Sequence, residues 1–245
     1  HIYLSAKLTD TSALSLGDSD YRLIGEHTDD GACFTATIVG DVDADGRDDI
    51  LVGARGNDEG GESAGKAYLM LSSDLGSSRD VYLADSAYAF IGENAGDMAG
   101  NGVAAAGDVD GDDLPDLLIG ANGADRDGVS TGKVYLFFNA SLGERRDIHL
   151  ADADHIFYAD PGSVPGIKES MAAGDVDGDG LSDLLLGAYY GGSDSEGKAY
   201  VVLASNIGAA QEYDLADADY SLVGENPGDQ FGFAVDITGD IDGDG

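Results

Sequence analysis

This sequence of 245 residues contains one cysteine, no tryptophan and no long apolar run. Its single cysteine, Cys33, excludes an intrachain disulfide. Because secreted animal proteins are usually rich in disulfides, this favours a bacterial or archaeal source. The absence of tryptophan removes a common platform of sugar-binding sites, although twelve tyrosines leave a polysaccharide ligand open. No apolar run approaches the roughly 18–20 residues that span a bilayer, so no direct membrane insertion is expected.

Basic residues are also scarce. Lysine and arginine number 12 against 48 acidic residues, which gives a formal net charge of −36. Nucleic acids and anionic membrane surfaces bind basic patches, so neither is expected as a partner. A solvated extracellular surface or a high-salt habitat fits this charge better. So acidic a chain is often disordered, but 42% of the residues are hydrophobic and fall in short regular runs, which favours a folded protein.

Aspartate is abundant, and much of it lies in a recurring nine-residue loop. Complete copies occupy residues 41–49, 108–116 and 175–183, and a fourth begins at residue 240. Carboxylates at the first, third, fifth and ninth positions of a tight turn can converge on one point, where they would repel one another without a cation. Calcium accepts six to eight oxygen ligands in flexible geometry and therefore fits such a loop better than magnesium does.

We therefore expect three complete Ca²⁺ sites, one per loop, each using the four carboxylates and the backbone carbonyl at position seven. Metal-free Asp-Gly turns are the alternative, but they do not explain the aspartate at position nine of every complete copy. Asp113 replaces the loop glycine of the second site, and since aspartate tolerates a left-handed backbone, we expect that site to survive in weakened form. The predicted ligands are Asp41, Asp43, Asp45, Arg47 and Asp49; Asp108, Asp110, Asp112, Leu114 and Asp116; Asp175, Asp177, Asp179, Leu181 and Asp183; and, in the incomplete fourth loop, Asp240, Asp242 and Asp244.

The loops recur every 65–67 residues, a period with room for about four strands. A short apolar run such as Ile50-Leu51-Val52 follows each loop and is too short for a helix. Small-residue segments such as 102–106 precede the loops, and no stretch has helical periodicity over three turns. The pattern predicts an all-β fold, a β-propeller of four-stranded blades.

Further motifs in phase with the loops give the repeat a family resemblance. Phe231-Gly232 precedes the fourth loop, and Gly53-Ala54 and its equivalents follow the complete ones. In this order and spacing the chain resembles the FG-GAP repeats of the integrin α-chain β-propeller, in their bacterial form. The resemblance implies that each calcium joins the first two strands of a blade, and that the chain is a fragment of a seven-bladed propeller. The repeats depart from the family pattern at Cys33, which stands where Gly100 and Gly232 lie and is expected to be a buried small residue.

The phase of the repeats predicts five segments. Residues 1–26 would end a preceding blade, and residues 226–245 would start a further one that stops inside its calcium loop. The three complete FG-GAP blades would occupy residues 27–93, 94–159 and 160–225. Further blades of the same protein, or self-association, are expected as partners because uncapped terminal repeats expose strand edges.

The resemblance implies a calcium-binding scaffold for adhesion or ligand binding, secreted or on the cell surface, and prokaryotic. Its ligand would be a protein or a polysaccharide. Two G-x-S-x-G segments, at 61–65 and 128–132, have the form of a nucleophile elbow. Each is expected between two strands, whereas an elbow needs a following helix, so we predict no catalytic residue and no enzyme activity. The alternatives are an accessory propeller of a secreted hydrolase and an architectural component of a surface layer or fibre.

Overall fold

Short strands separated by tight turns make up the regular structure of this chain. The computed structural model describes residues 1–2, 15–126, 128–144, 146–159, 170–192 and 194–237. Within these ranges there are β-strands and three-residue 3-10 turns but no α-helix. The predicted all-β class is therefore confirmed. The physical reason is that the apolar runs are short, such as the three residues 50–52 and the five residues 134–138, so none can complete the turns of an amphipathic helix.

The strands follow one another in a regular order. In chain order they are β1 (Arg22–Ile24), β2 (Ala32–Gly40), β3 (Asp49–Ala54), β4 (Lys66–Met70), β5 (Asp80–Tyr82), β6 (Tyr88–Ile91), β7 (Ala99–Gly107), β8 (Asp116–Ala121), β9 (Asp125–Arg126), β10 (Val129–Ser130), β11 (Lys133–Phe137), β12 (Asp147–His149), β13 (His155–Tyr158), β14 (Met171–Gly174), β15 (Asp183–Ala188), β16 (Lys198–Val202), β17 (Glu212–Asp214) and β18 (Tyr220–Val223).

In the described part of the chain, three antiparallel sets of four strands stand in series, as the blades of a propeller do. Their strand orders are β2-β3-β4-β6, β7-β8-β11-β13 and β14-β15-β16-β18. The sequence did not predict a further strand at the outer edge. There β12, from the following repeat, pairs in parallel with β6, and β17 pairs in the same way with β13. This exchange covers the free N–H and C=O groups of an outer strand and links consecutive repeats.

The apolar core lies between neighbouring sheets. Leu51 and Leu69 of the first sheet share a cluster with Ile119 of the second, whereas Val52 belongs to a cluster on the opposite face. Side chains of successive strand residues point to opposite faces of a sheet. Because Leu51 and Val52 are both buried, β3 packs against apolar residues on both of its faces. Phe90 and Phe137 join two sheets with their ring centroids 4.8 Å apart. Full burial of one such ring contributes about 2 kcal/mol to the free energy of folding.

Glycine allows consecutive sheets to approach each other along their inner strands. A Cβ atom on Gly53 would lie 2.0 Å from the carbonyl oxygen of Gly100, and one on Gly187 would lie 2.1 Å from that of Gly232. Cys33 occupies the position of Gly100 and shares its left-handed backbone, with φ of 62°. The prediction that Cys33 is buried is wrong, since its side chain is exposed. Gly100 packs on the preceding sheet, whereas Cys33 belongs to the first four-stranded sheet that the described residues form, and they place no such sheet before it.

Candidate metal centres

Each complete aspartate loop connects the first strand of a sheet to the second. The loop at 41–49 joins β2 to β3, and its counterparts join β7 to β8 and β14 to β15. The first aspartate gives the loop its shape. Asp41 accepts hydrogen bonds from the backbone N–H groups of Asp45 (2.9 Å) and Gly46 (2.7 Å). The carboxylates of Asp108 and Asp175 are bonded in the same way in the other two loops. Aspartate favours such turns because its side chain can bond to the backbone a few residues on.

The loops bring carboxylates together. In each loop three aspartates have an oxygen atom within 4.8 Å of the others. The groups are Asp41, Asp43 and Asp45; Asp108, Asp110 and Asp116; and Asp175, Asp177 and Asp183. Oxygens that share one Ca²⁺ ion lie about 2.3–2.6 Å from it and hence up to about 5 Å apart, so these groupings have the size that a calcium ion requires. The donors are all oxygen, which suits a hard cation.

The remaining predicted ligands lie outside these three groupings or outside the described residues. Asp49, Asp112 and Asp179 belong to the same loops but lie outside the three groupings. At position seven, the backbone N–H groups of Arg47, Leu114 and Leu181 donate 2.9 Å hydrogen bonds to the aspartate at position five. Asp240, Asp242 and Asp244 of the fourth loop lie outside the described residues.

The left-handed turn at position six is kept in all three loops. The backbone φ is 86° at Gly46, 69° at Asp113 and 92° at Gly180. Asp113 therefore adopts the backbone that glycine has in the other loops, as its tolerance of this region allows. The substitution leaves the path of the second loop unchanged.

The aspartate at position nine has a structural role that the sequence did not reveal. Asp49, Asp116 and Asp183 are fully buried. Asp49 accepts hydrogen bonds from the backbone N–H groups of Val42 (2.8 Å) and Ser72 (2.7 Å), so it ties the loop to the turn that follows β4. The other two loops repeat this arrangement. Each carboxylate oxygen has two lone pairs, so these bonds leave capacity for a cation.

Burial and mutual repulsion oppose negative charge in the loops. Burial raises the pKa of Asp116 to about 7, and the carboxylates of Asp110 and Asp112 add to this effect, against the backbone N–H groups of Asn139 and Val109. Burial raises the pKa of Asp49 and Asp110 as well. A divalent cation would favour the charged carboxylates and so reverse the direction of these shifts.

The sequence also did not predict the ion pairs that a buried lysine forms with glutamate in two of the repeats. Lys66 contacts Glu26 at 3.1 Å and Glu59 at 2.6 Å, and Lys133 contacts Glu93 at 2.7 Å. In the two pairs that cross from one repeat to the next, glutamate precedes lysine by 40 residues. This constant separation of the Gly-Glu and Gly-Lys motifs was the signal in the sequence.

The two G-x-S-x-G segments differ in local structure, because Ser63 lies in a turn and Ser130 ends the two-residue strand β10. Ser63 lies between β3 and β4 with a φ of 51°, and residues 128–132 lead into β11. A strand follows each segment, whereas a nucleophile elbow needs a helix there. Among the described residues no helix is long and apolar enough to cross a membrane.

Comparison with known proteins identifies the repeats. The family model described as FG-GAP repeat matches residues 34–70, 99–137 and 169–202, and each match contains one complete aspartate loop. Integrin alpha pat-2 of Caenorhabditis briggsae is 30% identical over 224 residues, which are 86% of this chain and 17% of the relative. Integrin alpha-PS2 of Drosophila melanogaster is 28% identical over 226 residues, 89% of this chain and 15% of the relative.

An enzyme is similar to the same region. Phosphatidylinositol-glycan-specific phospholipase D of Bos taurus is 29% identical over 206 residues, which are 76% of this chain and 24% of the enzyme. The chain thus spans less than a quarter of the length of each of these three relatives.

Proposed function

Because the chain is an FG-GAP repeat protein related to integrin α chains, we propose that it is a calcium-stabilised β-propeller scaffold that binds a ligand outside the cell. The convergence of three aspartates in every complete loop carries this proposal. All the donors are oxygen, and they lie at the same point of three successive sheets. One ion in each loop is the arrangement that this repetition supports.

Bound calcium would make each blade more rigid. In each loop the three converging aspartates would hold the ion, and its positive charge would offset their repulsion. Asp116 already connects its loop to the backbone of Asn139, so an ion bound beside it would join the first two strands to the segment after β11. Bound calcium would therefore stabilise the connections within a sheet rather than supply a reactive group.

The ligand-binding surface is best sought in the segments between the second and third strands. These segments, residues 57–64, 122–131 and 189–196, differ in sequence, whereas the strands around them repeat. Variable loops on a rigid frame commonly carry binding specificity. The ligand would be a protein or a polysaccharide, and further blades or a second copy of the chain would be the structural partners.

A scaffold without catalytic activity fits the chemistry of the chain. Its converging acidic groups suit metal ions, and each serine motif is followed by a strand and not by the helix that a nucleophile elbow needs. The similarity to phosphatidylinositol-glycan-specific phospholipase D favours one alternative, a propeller that accompanies a secreted hydrolase. In that case the same fold would position a catalytic domain, and the calcium sites would keep their structural role.

Binding measured with and without calcium tests the proposal. The full chain, stripped of metal with a chelator and then restored with Ca²⁺, is applied to arrays of matrix proteins and polysaccharides. A matched variant has all three variable segments replaced by short Gly-Ser turns. We expect calcium-dependent binding that this variant loses. Binding that survives both the chelator and the replacement would contradict the proposal, and phosphodiesterase activity in the purified chain would contradict its non-catalytic part.

A further inference from the structure

The aspartates at position nine of the three complete loops belong to one continuous chain of hydrogen bonds. These loops, at 41–49, 108–116 and 175–183, are called loops 1, 2 and 3. Asp116 of loop 2 stands at the centre of the chain. One of its carboxylate oxygens accepts the backbone N–H of Val109, and the other accepts that of Asn139. Each of these two donors leads to a neighbouring loop.

Asn139 connects Asp116 to loop 1. Its backbone N–H donates to Asp116, and its side-chain Nδ2 donates to the backbone carbonyl of Val42. The backbone N–H of Val42 in turn donates a 2.8 Å hydrogen bond to Oδ2 of Asp49. The carboxylates of Asp49 and Asp116 are both fully buried. Asn139 therefore lies between the position-nine aspartates of two successive loops.

A single peptide group connects Asp116 to loop 3. The peptide group between Asp108 and Val109 donates its N–H to Asp116, and its carbonyl accepts a 2.7 Å hydrogen bond from the backbone N–H of Ser182. Ser182 immediately precedes Asp183, the position-nine aspartate of loop 3. Hydrogen bonds on both sides of one planar peptide group strengthen each other. The orientation of Asp116 is therefore connected to the path of loop 3.

The two junctions between loops obtain their hydrogen bond from different residues. At position eight, Ser182 offers its N–H to the preceding loop, whereas Pro115 has no N–H to offer. The ring of Pro115 packs on the residue before loop 1, with Cγ 3.1 Å from the Cβ position of Gly40. Asn139 supplies the hydrogen bond that this proline cannot make. Its equivalent in the third sheet is Ala204, which has no side-chain amide. Both junctions are thus bonded, although neither donor is repeated.

We propose that the three loops bind calcium with positive cooperativity, coupled through the hydrogen bonds of Asp116, Asn139 and Ser182. This inference rests on the calcium binding proposed for the propeller and adds that the sites depend on one another. Asp116 and Asp183 belong to the converging groups of their loops, so the chain ends on predicted ligands. An ion that fixes one of these carboxylates also fixes its hydrogen-bond donors. The neighbouring loop then loses less conformational freedom when its own ion binds.

Electrostatic repulsion between bound ions acts in the opposite direction. Each Ca²⁺ lowers the negative potential that attracts the next one, and this alone would weaken later binding. Salt screens exposed charges that lie further apart than the Debye length, which is about 8 Å at physiological ionic strength, but it screens buried groups much less. Positive cooperativity at physiological salt would therefore come from the hydrogen-bonded chain.

Disabling the middle loop tests the coupling. Asp110→Ala removes a predicted ligand of loop 2 and leaves the hydrogen-bonded chain intact. Calcium is titrated into the full chain at physiological salt. The backbone amide resonances of Gly46 and Gly180 report loops 1 and 3, because each N–H donates to the first aspartate of its loop. We expect Asp110→Ala to weaken calcium binding in both of these loops by about fivefold or more. The exposed Asp125→Ala is the control and should leave both affinities unchanged.

Two further substitutions separate the junctions. Asn139→Ala installs the residue that the third sheet has at this position, and Ser182→Pro installs the residue that loop 2 has. Both variants are therefore expected to fold, which circular dichroism checks. In Asn139→Ala, loop 1 should no longer respond to Asp110→Ala, while loop 3 should still respond. Ser182→Pro should have the reverse effect. Asn206→Ala is the matched control, because its side-chain amide bonds to an aspartate outside the loops.

The results of these titrations distinguish the coupling from the proposed function. Unchanged affinity in loops 1 and 3 when loop 2 is disabled would overturn the coupling and leave calcium binding standing. A response that Asn139→Ala and Ser182→Pro do not alter would overturn the role of the hydrogen-bonded chain. If either variant fails to fold, Asp110→Ala alone still decides whether the loops are coupled. The absence of any calcium-dependent shift in the three loops would overturn the proposed function and the coupling together.

Discussion

The backbone N–H of Asn139 donates a 2.9 Å hydrogen bond to Oδ1 of Asp116, 23 residues earlier in the chain. The other carboxylate oxygen accepts a 2.9 Å bond from the N–H of Val109. Asp116 thus fastens the aspartate loop to the segment after the third strand of its sheet through these two hydrogen bonds. The aspartates within a loop therefore have different roles, and substitutions should separate them.

Asp116→Ala should destabilise the protein with and without calcium. It leaves two backbone N–H groups without partners in a buried place, and the expected loss is about 2–4 kcal/mol in the free energy of unfolding. Asp110→Ala should act mainly on the metal, with a loss of calcium affinity of about tenfold or more in that loop. Urea unfolding in Ca²⁺ and in chelator, together with calcium titration, distinguishes the two. The exposed Asp125→Ala is the control, and an Asp116→Ala variant as stable as this control in chelator would contradict the structural role.

Calcium removal should lower the melting temperature. Ligands that bind only the folded state stabilise it by mass action, by about 2.7 kcal/mol per site at a hundredfold excess over Kd. We expect the wild type to melt at a higher temperature in Ca²⁺ than in chelator, and Mg²⁺ to restore less of the difference because it demands stricter octahedral geometry. Calorimetry measures this directly. Coincident melting curves in Ca²⁺ and chelator would show that the loops do not couple metal binding to folding.

The contact between Glu93 and Lys133 should make stability depend on pH. Burial alone would raise the pKa of Glu93, but the hydrogen bonds from Lys133 and Tyr135 outweigh it, and the net pKa lies below the ordinary value of 4.5. A depressed pKa in the folded state stabilises the protein above the unfolded-state value, and this contribution is lost as the pH falls through the folded-state pKa. Glu93→Gln should therefore cost about 2 kcal/mol at pH 7 and less below pH 4.5.

Denaturant unfolding of Glu93→Gln and wild type across this pH range measures the difference. The exposed Glu62→Gln serves as the matched control, because it removes a carboxylate without a described ion pair. A stability difference between Glu93→Gln and wild type that stays constant from pH 7 to pH 3 would show that the ionised carboxylate does not stabilise the fold.

Gly53→Ala should disrupt the contact between the first two sheets. The added Cβ atom would meet the carbonyl oxygen of Gly100 at 2.0 Å, and backbone atoms cannot yield as a flexible side chain can. The expected loss is about 3 kcal/mol in the free energy of unfolding, at the upper end of the cost of overpacking. Gly76→Ala is the control, since no atom lies within 4 Å of its Cβ position. Equal midpoints for both variants in urea would contradict close packing of the inner strands.

The sequence by itself determined the features that depend on residues close together in the chain. The aspartates of each loop lie within nine residues, so their spacing alone indicates that they converge. The runs that became β3, β8 and β15 are apolar and bounded by Asp and Gly, which decides strand over helix locally. The 65–67-residue period likewise predicted a series of four-stranded sheets. One period has room for about four strands, and repeats of similar sequence are expected to share one fold.

Only the tertiary structure decided the contacts between repeats. The parallel pairing of β12 with β6 and the contact between Glu26 and Lys66 join residues that are far apart in the sequence. The exposure of Cys33 depends on which sheet lies beside it. Periodicity reports which face of a strand is buried, but the partner across that face is set by how the sheets pack.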